Sequence, residues 1–182
     1  MTRLGRHDWL DAGLGLLAAG DRRALTLERL CEQLGRTKGS FYHHFRDMPT
    51  YQLELLERWQ ARHTEALIDD SQVAADPRAR GERLRARVAA ADLRLERAIR
   101  SWAEVEPLAR TAVDAVDQRR IGYLSELALA RLGDPNRAKI VARIEYAAFV
   151  GSVELFADLP LAQRELLSRS LDEALAMWAE RS

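Results

Sequence analysis

Apolar side chains recur along most of this chain at intervals of three and four residues, which is the spacing of one face of an α-helix. Leu27, Leu30, Cys31 and Leu34 give the clearest example, and similar stripes follow through residues 84–132. No alternation of apolar and polar residues is long enough to predict a strand. The pattern therefore predicts an all-α protein.

The first fifty residues contain the signals that begin and end helices. Thr26 is a favourable N-terminal cap, and Gly35 is a typical residue at which a helix ends. Thr37 can then cap a third, short helix that runs to Phe45. A capped helix, a tight turn that contains glycine and a second helix together predict a helix-turn-helix.

Beyond this segment the pattern predicts a long helix that begins near Pro49 and runs to about Ile68. Residues 69–80 are the one clearly polar, aperiodic stretch, and we place the boundary of a small N-terminal unit near them. The long helix before this stretch belongs to both parts. Further helices are predicted through residues 84–102 and 107–132, and then, after a break at residues 133–135, over residues 137–156 and 161–178.

Composition and charge exclude several classes of protein. The 28 basic and 28 acidic side chains cancel, yet residues 36–46 hold three positive charges and no negative one. The four histidines lack metal-ligand spacing, and no phosphate-binding glycine loop or nucleophile elbow is present, so we expect no enzyme, metal or cofactor. The single cysteine rules out an intrachain disulfide, and the N-terminus does not read as a signal peptide. The most apolar stretch, residues 146–156, is too short to span a bilayer, so we expect a cytoplasmic protein with no membrane partner.

The short helix after Thr37 has two different faces when its residues are placed about 100° apart. Phe41 and Phe45 fall together one turn apart, and we expect them to pack inward. The remaining side chains are small, basic or hydrogen-bonding: Arg36, Thr37, Lys38, Gly39, Ser40, Tyr42 and His43. Such residues suit the phosphates and base edges of double-stranded DNA, because a major groove accepts one helix near its N-terminal end. The alternative is a helical protein-binding module that docks through this face, but it would need an apolar surface there.

Residues 25–56, LTLERLCEQLGRTKGSFYHHFRDMPTYQLELL, resemble the N-terminal domain of TetR-family transcriptional regulators. The most specific part, TKGSFYHHF, is similar to that family's recognition helix. The resemblance implies DNA contacts by Thr26, by the polar residues of the recognition helix and by Arg46, which we expect to replace a frequent lysine at the position of Met48. It also implies that residues 1–50 form the DNA-binding domain and that residues 51–182 form a helical regulatory and dimerisation domain.

The resemblance further implies a homodimer whose interface is built from the last two helices. An apolar line on the first of these helices and a stripe on the second supply the expected residues: Ile144, Ala148, Gly151, Leu155, Leu167, Leu171 and Trp178. The alternative is that these residues form core within one chain. Both helices are too apolar all round for that alone, so we favour the dimer.

In regulators of this family, the middle helices often enclose a small-molecule inducer that releases the protein from DNA. The candidate lining residues are aromatic or acidic positions of the regulatory half: Trp102, Tyr123, Glu145, Tyr146 and Phe149. Each aromatic residue could instead be plain core. We therefore expect a dimeric repressor that binds a palindromic operator, with a TetR-like activator or a regulator without a ligand as alternatives.

Overall fold

The computed structural model describes residues 4–20 and 25–180, and within these ranges the chain is helical with no β-strand. The predicted all-α fold is therefore confirmed. The helices, in chain order, are α1 (Arg6–Ala18), α2 (Leu27–Leu34), α3 (Lys38–His44), α4 (Met48–Gln60), a π-helical segment (Ala61–Glu65), α5 (Ala66–Gln72), α6 (Pro77–Ala90), α7 (Arg94–Ala103), α8 (Pro107–Leu132), α9 (Pro135–Leu155) and α10 (Leu161–Glu180).

The helix-turn-helix is formed by α2 and α3, and each begins at the predicted cap. The Thr26 hydroxyl oxygen accepts a hydrogen bond from the Arg29 backbone amide at 3.2 Å, and Thr37 accepts one from Ser40 at 3.3 Å. Between them, Gly35 adopts a left-handed conformation with φ of 59°, which a glycine reaches without steric cost. The predicted starts of α2 and α3, and the turn between them, are therefore confirmed.

The long helix that follows differs from its prediction. It does not end near Ile68 but passes through the π-helical segment and continues to Gln72. The polar stretch predicted from residue 69 to residue 80 contains only a short break, because Asp76 caps α6 by accepting a hydrogen bond from the Ala79 amide at 2.9 Å. Polar composition in this stretch therefore marks exposed helix ends rather than a long linker.

The chain divides into two compact units that differ from the predicted ranges. The first unit comprises Met1–Arg62 and Arg94–Asp114, and the second comprises His63–Leu93 and Ala115–Ser182. The division thus falls at the π-helical segment and inside α8. The N-terminal helices consequently share their unit with α7 and with the start of α8.

The core of the first unit is built around α1, which packs against α2, α4 and α7. Its largest buried side chains are aromatic, and they come from three of these helices and from the region of α3: Trp9, Phe41, Phe45, Tyr51, Trp59 and Trp102. Burial of one such ring contributes about 1.5–3 kcal/mol, so these residues dominate the cohesion of the unit.

The second unit is held together by contacts of α5 with α6 and of α10 with α6 and α9. Ala128, Ala138, Val141 and Leu175 form a small buried cluster where α8, α9 and α10 meet. None of the described helices combines the length and the hydropathy that a membrane-crossing helix requires.

Candidate nucleic-acid interface

The two phenylalanines of the short helix face inward, as predicted. Phe41 is fully buried and Phe45 nearly so. The Phe41 ring centroid lies 5.5 Å from that of Trp9 and 5.4 Å from that of Tyr51, both in edge-to-face arrangements. Phe45 contacts Tyr51 in the same way at 5.0 Å. This aromatic cluster fixes the orientation of α3 on α1 and α4.

The predicted contact residues lie on the exposed part of α3 and its cap. Thr37, Lys38, Gly39 and His43 are exposed, Arg36 and Ser40 are partly exposed, and Tyr42 keeps 55% of its surface accessible. A side chain added at Gly39 would meet only the Thr37 hydroxyl, at 3.8 Å, so packing within the chain does not require glycine there. Thr26, at the start of α2, is partly exposed.

The positive charges of this surface are less free than residues 36–46 alone suggested. The Lys38 ammonium donates to the Glu28 carboxylate, and Arg46 donates to Asp47 at 2.8 Å. Both acids belong to neighbouring helix starts, where they also complement the helix dipole. Of the three cations of residues 36–46, only Arg36 forms no ion pair with a described residue. The interface therefore pairs two of its three cations with acids.

The pKa values of these groups reflect the pairing. A hydrogen bond to Glu28 raises the pKa of Lys38, and the same bond lowers the pKa of the Glu28 carboxyl. The pKa of Asp47 falls to about 2, first because of hydrogen bonds from Thr50 and then because of Arg46. The Lys38–Glu28 pair is thus charged on both sides at neutral pH, and the Asp47 carboxyl is ionised there.

Arg46 was expected to replace a phosphate-binding lysine at the start of α4. Its side chain is 85% exposed, while Asp47 caps α4 by accepting a hydrogen bond from the Thr50 amide at 2.8 Å. Met48 begins the helix and Pro49 follows in its first turn. Arg46 can therefore reach a ligand in solution, but only by leaving the Asp47 carboxylate.

The five candidate ligand residues do not all lie in the same unit. Trp102 lies in the first unit, whereas Tyr123, Glu145, Tyr146 and Phe149 lie in the second. The Tyr123 hydroxyl is hydrogen-bonded to the buried Ser71 hydroxyl at 2.6 Å, which is the behaviour of a satisfied core residue. Glu145 is largely buried, and burial raises the pKa of its carboxyl.

Arg120 connects two of these aromatic residues to the π-helical segment, and sequence reasoning did not single it out. Its guanidinium lies over the Phe149 ring, with 5.6 Å to the centroid, and donates to the Tyr146 hydroxyl at 3.4 Å. It also donates to the Thr64 hydroxyl at 2.9 Å and to the His63 carbonyl oxygen at 3.1 Å. Tyr146 in turn donates to Asp117 at 2.6 Å. The guanidinium therefore joins α8 and α9 to an irregular helical turn.

The residues predicted for the dimer interface are largely accessible in the single chain. Leu155 is 74% exposed, and Ile144, Leu167 and Trp178 are each exposed by about two fifths of their surface. The other members of the set, Ala148, Gly151 and Leu171, are partly buried. A side chain added at Gly151 would meet no atom within 4 Å. The chain therefore leaves room for a close neighbour at this position.

Glu28 is a second residue, after Arg120, that sequence reasoning did not single out, and it lies at the candidate interface beside Lys38. The available signal was its place two residues after the Thr26 cap, in the first turn of α2. In the fold, the Glu28 carboxylate at the start of α2 reaches the Lys38 ammonium at the start of α3.

These observations define an all-helical protein with an N-terminal helix-turn-helix. Residues 10–49 match the family of bacterial regulatory proteins known as the tetR family. This match confirms the resemblance of the N-terminal residues to the tetR family.

Solved structures of regulators share this fold along nearly the whole chain. A protein from Pseudomonas aeruginosa PAO1, assigned as a transcriptional regulator, aligns with a TM-score of 0.75 and 14% identity over 98% of this chain and 96% of its own. The reduced form of Escherichia coli NemR aligns with a TM-score of 0.70 and 22% identity over 91% of this chain and 96% of its own. A Saccharomonospora viridis protein, also assigned as a transcriptional regulator and solved in complex with choline, aligns with a TM-score of 0.72 and 13% identity. The alignment covers 92% of this chain and 95% of its own. No protein with a curated description matches the chain.

Proposed function

We propose that this protein is a homodimeric DNA-binding repressor that recognises a palindromic operator through α3 and is released by a small-molecule ligand. The observation that carries the proposal is the division of α3 into two faces. Phe41 and Phe45 are buried and hold the helix in place, while Thr37, Tyr42 and His43 are exposed. A major groove accepts such a helix, with its N-terminal residues near the base edges.

A homodimer is supported by the exposed apolar side chains of α9 and α10. Single exposed apolar residues are ordinary, but several on two helices that contact each other favour an interface. Two-fold symmetry would place two recognition helices about one DNA turn apart, which is the geometry of a palindromic site. The proposed interface includes Ile144, Gly151, Leu155 and Leu167.

Release by a ligand rests on weaker support. The structural neighbour crystallised with choline shows that a chain of this fold can hold a small molecule. In this chain Tyr146, Phe149 and Glu145 are the residues proposed to face a ligand. A ligand releases the repressor only if it binds the DNA-incompetent state more tightly, by the factor by which it weakens DNA binding.

Fluorescence anisotropy tests DNA binding directly, with duplex DNA from upstream of the protein's own gene and an unrelated duplex of equal length. We expect tighter binding to the upstream duplex, with two protomers or a multiple per site and a steep decrease as salt rises. Lys38→Ala combined with Tyr42→Phe should abolish the preference while the protein stays folded. Arg97→Ala, which removes one exposed cation of α7, is the control and should leave binding unchanged. Absence of binding at low salt would instead favour the protein-docking module.

The same complex provides the assay for a ligand. Addition of choline, as a first compound, is expected to lower the anisotropy if the ligand resembles that of the structural neighbour. A compound that instead increases affinity for DNA would indicate a co-repressor or an activator. Transcription measured in vitro from the upstream promoter separates these two cases.

A further inference from the structure

The exposed ion pair between Glu28 and Lys38 lies at the centre of the proposed DNA interface. Lys38 is the first residue of α3, and Glu28 is in the first turn of α2. Their side chains are 67% exposed for Glu28 and 59% exposed for Lys38. The carboxylate therefore stands at the surface beside the cation that the fold presents to DNA.

An acid at this place acts differently on two kinds of DNA complex. A complex held only by phosphates would bring the Glu28 carboxylate close to the negatively charged DNA backbone, which it repels. A complex that reads bases meets less of this repulsion, because base edges are uncharged, and Glu28 occupies only one of the three donors of the Lys38 ammonium. The others can reach acceptors such as the O6 and N7 atoms of guanine while the ion pair is kept.

We propose that Glu28 is a specificity-determining residue of the DNA interface: it orients Lys38 towards base edges and opposes binding through phosphate contacts alone. This inference rests on the proposed function. Arg46 and Asp47, which are adjacent in the chain, form a second ion pair at the start of α4. A surface that pairs its cations with acids binds unrelated DNA weakly and gains affinity mainly from correct bases.

The test compares wild type with Glu28→Gln, which removes the charge and keeps the shape. Binding is measured on a duplex that the wild-type protein selects from a randomised pool and on a scrambled duplex, each across a salt series. Glu32→Gln is the matched control, because Glu32 is an exposed acid one turn further along α2 with no ion pair among the described residues. Thermal unfolding followed by circular dichroism checks that each variant is folded.

We expect Glu28→Gln to bind the scrambled duplex about tenfold more tightly at 50 mM salt, with a log–log salt slope steeper by about one, because Lys38 gains one phosphate contact. Affinity for the selected duplex should not increase, so the specificity ratio falls about tenfold. Adding Lys38→Ala to Glu28→Gln should remove the gain, and Glu28→Asp should restore wild-type behaviour.

Three results would overturn this inference while leaving the proposed function intact. Glu28→Gln could bind both duplexes as wild type does, it could strengthen both equally, or Glu32→Gln could produce the same change. Failure of the wild-type protein to prefer any selected duplex would instead overturn the proposed function, and the inference with it.

Discussion

Replacement of Gly13 by alanine tests how tightly the aromatic core of the first unit is packed. A β-carbon at this position of α1 would lie 2.0 Å from the Tyr51 hydroxyl oxygen and 3.1 Å from a methyl carbon of Leu55. That hydroxyl is buried and donates to the Trp9 carbonyl oxygen at 2.9 Å. Because both side chains belong to α4, the added methyl group must displace α4 or break the hydrogen bond.

The expected magnitude is the balance of three effects. Overpacking of a dense core costs about 1–3 kcal/mol, and loss of the Tyr51 hydrogen bond costs about 1 kcal/mol. Alanine is better than glycine inside a helix by about 1 kcal/mol, which offsets part of this loss. We therefore expect Gly13→Ala to lower the free energy of unfolding of the first unit by about 1–3 kcal/mol.

Urea unfolding followed by tryptophan fluorescence measures this change. Gly15→Ala is the control, since its β-carbon would meet only the Gln33 side-chain nitrogen at 3.7 Å, and it should be neutral or stabilising. Tyr51→Phe removes the nearest atom, so the double variant Gly13→Ala with Tyr51→Phe should be less destabilised than the sum of the single variants by about 1–2 kcal/mol. Equal stability of Gly13→Ala and Gly15→Ala would refute the reasoning.

Three further predictions concern the second unit. Arg120→Met should lower the free energy of unfolding by about 1–3 kcal/mol in urea, because it leaves buried polar groups unsatisfied, whereas Arg119→Met, which breaks a surface pair, should cost about 0–1 kcal/mol. Burial raises the pKa of Glu145, so the folded protein holds a proton at this carboxyl more readily than the unfolded chain does, and the contribution of Glu145 to stability falls as pH rises. Glu145→Gln should therefore raise the melting temperature in calorimetry more at pH 7 than at pH 4. If the proposed dimer forms, Gly151→Arg should convert it to monomers in analytical ultracentrifugation without unfolding the chain, and Gly122→Arg, at another open helical position, should not. A stable Gly151→Arg dimer would contradict the proposed interface.

Local signals predicted the helix-turn-helix well because its ends are determined by neighbouring residues. Thr26 and Thr37 each cap their helix through an amide three residues later, and Gly35 turns the chain by its own conformation. Phe41 and Phe45 were assigned to the core from their spacing alone. The two caps and the turn depend on no residue from a distant part of the chain.

Long-range pairs could not be predicted in this way. The π-helical segment is held by Arg120, more than fifty residues further along the chain, and no local signal marks the extra residue in that turn. Trp102 was placed with the regulatory half by its position in the sequence, yet it packs in the first unit. The pairing of Lys38 with Glu28 required the relative placement of two helices, so the charge pattern of residues 36–46 overstated the free positive charge.

The discontinuity of the first unit bears on how the chain is synthesised. Residues 63–93 leave the ribosome before α7, which packs against α1 to complete that unit. The packing of α1 against α7 can therefore form only after residues 94–103 have emerged, even though nascent domains usually fold in order of emergence. For the same reason, a fragment cut after α4 would carry the recognition helix without its full support. Exchange of operator preference between such proteins should transfer α7 together with the first four helices.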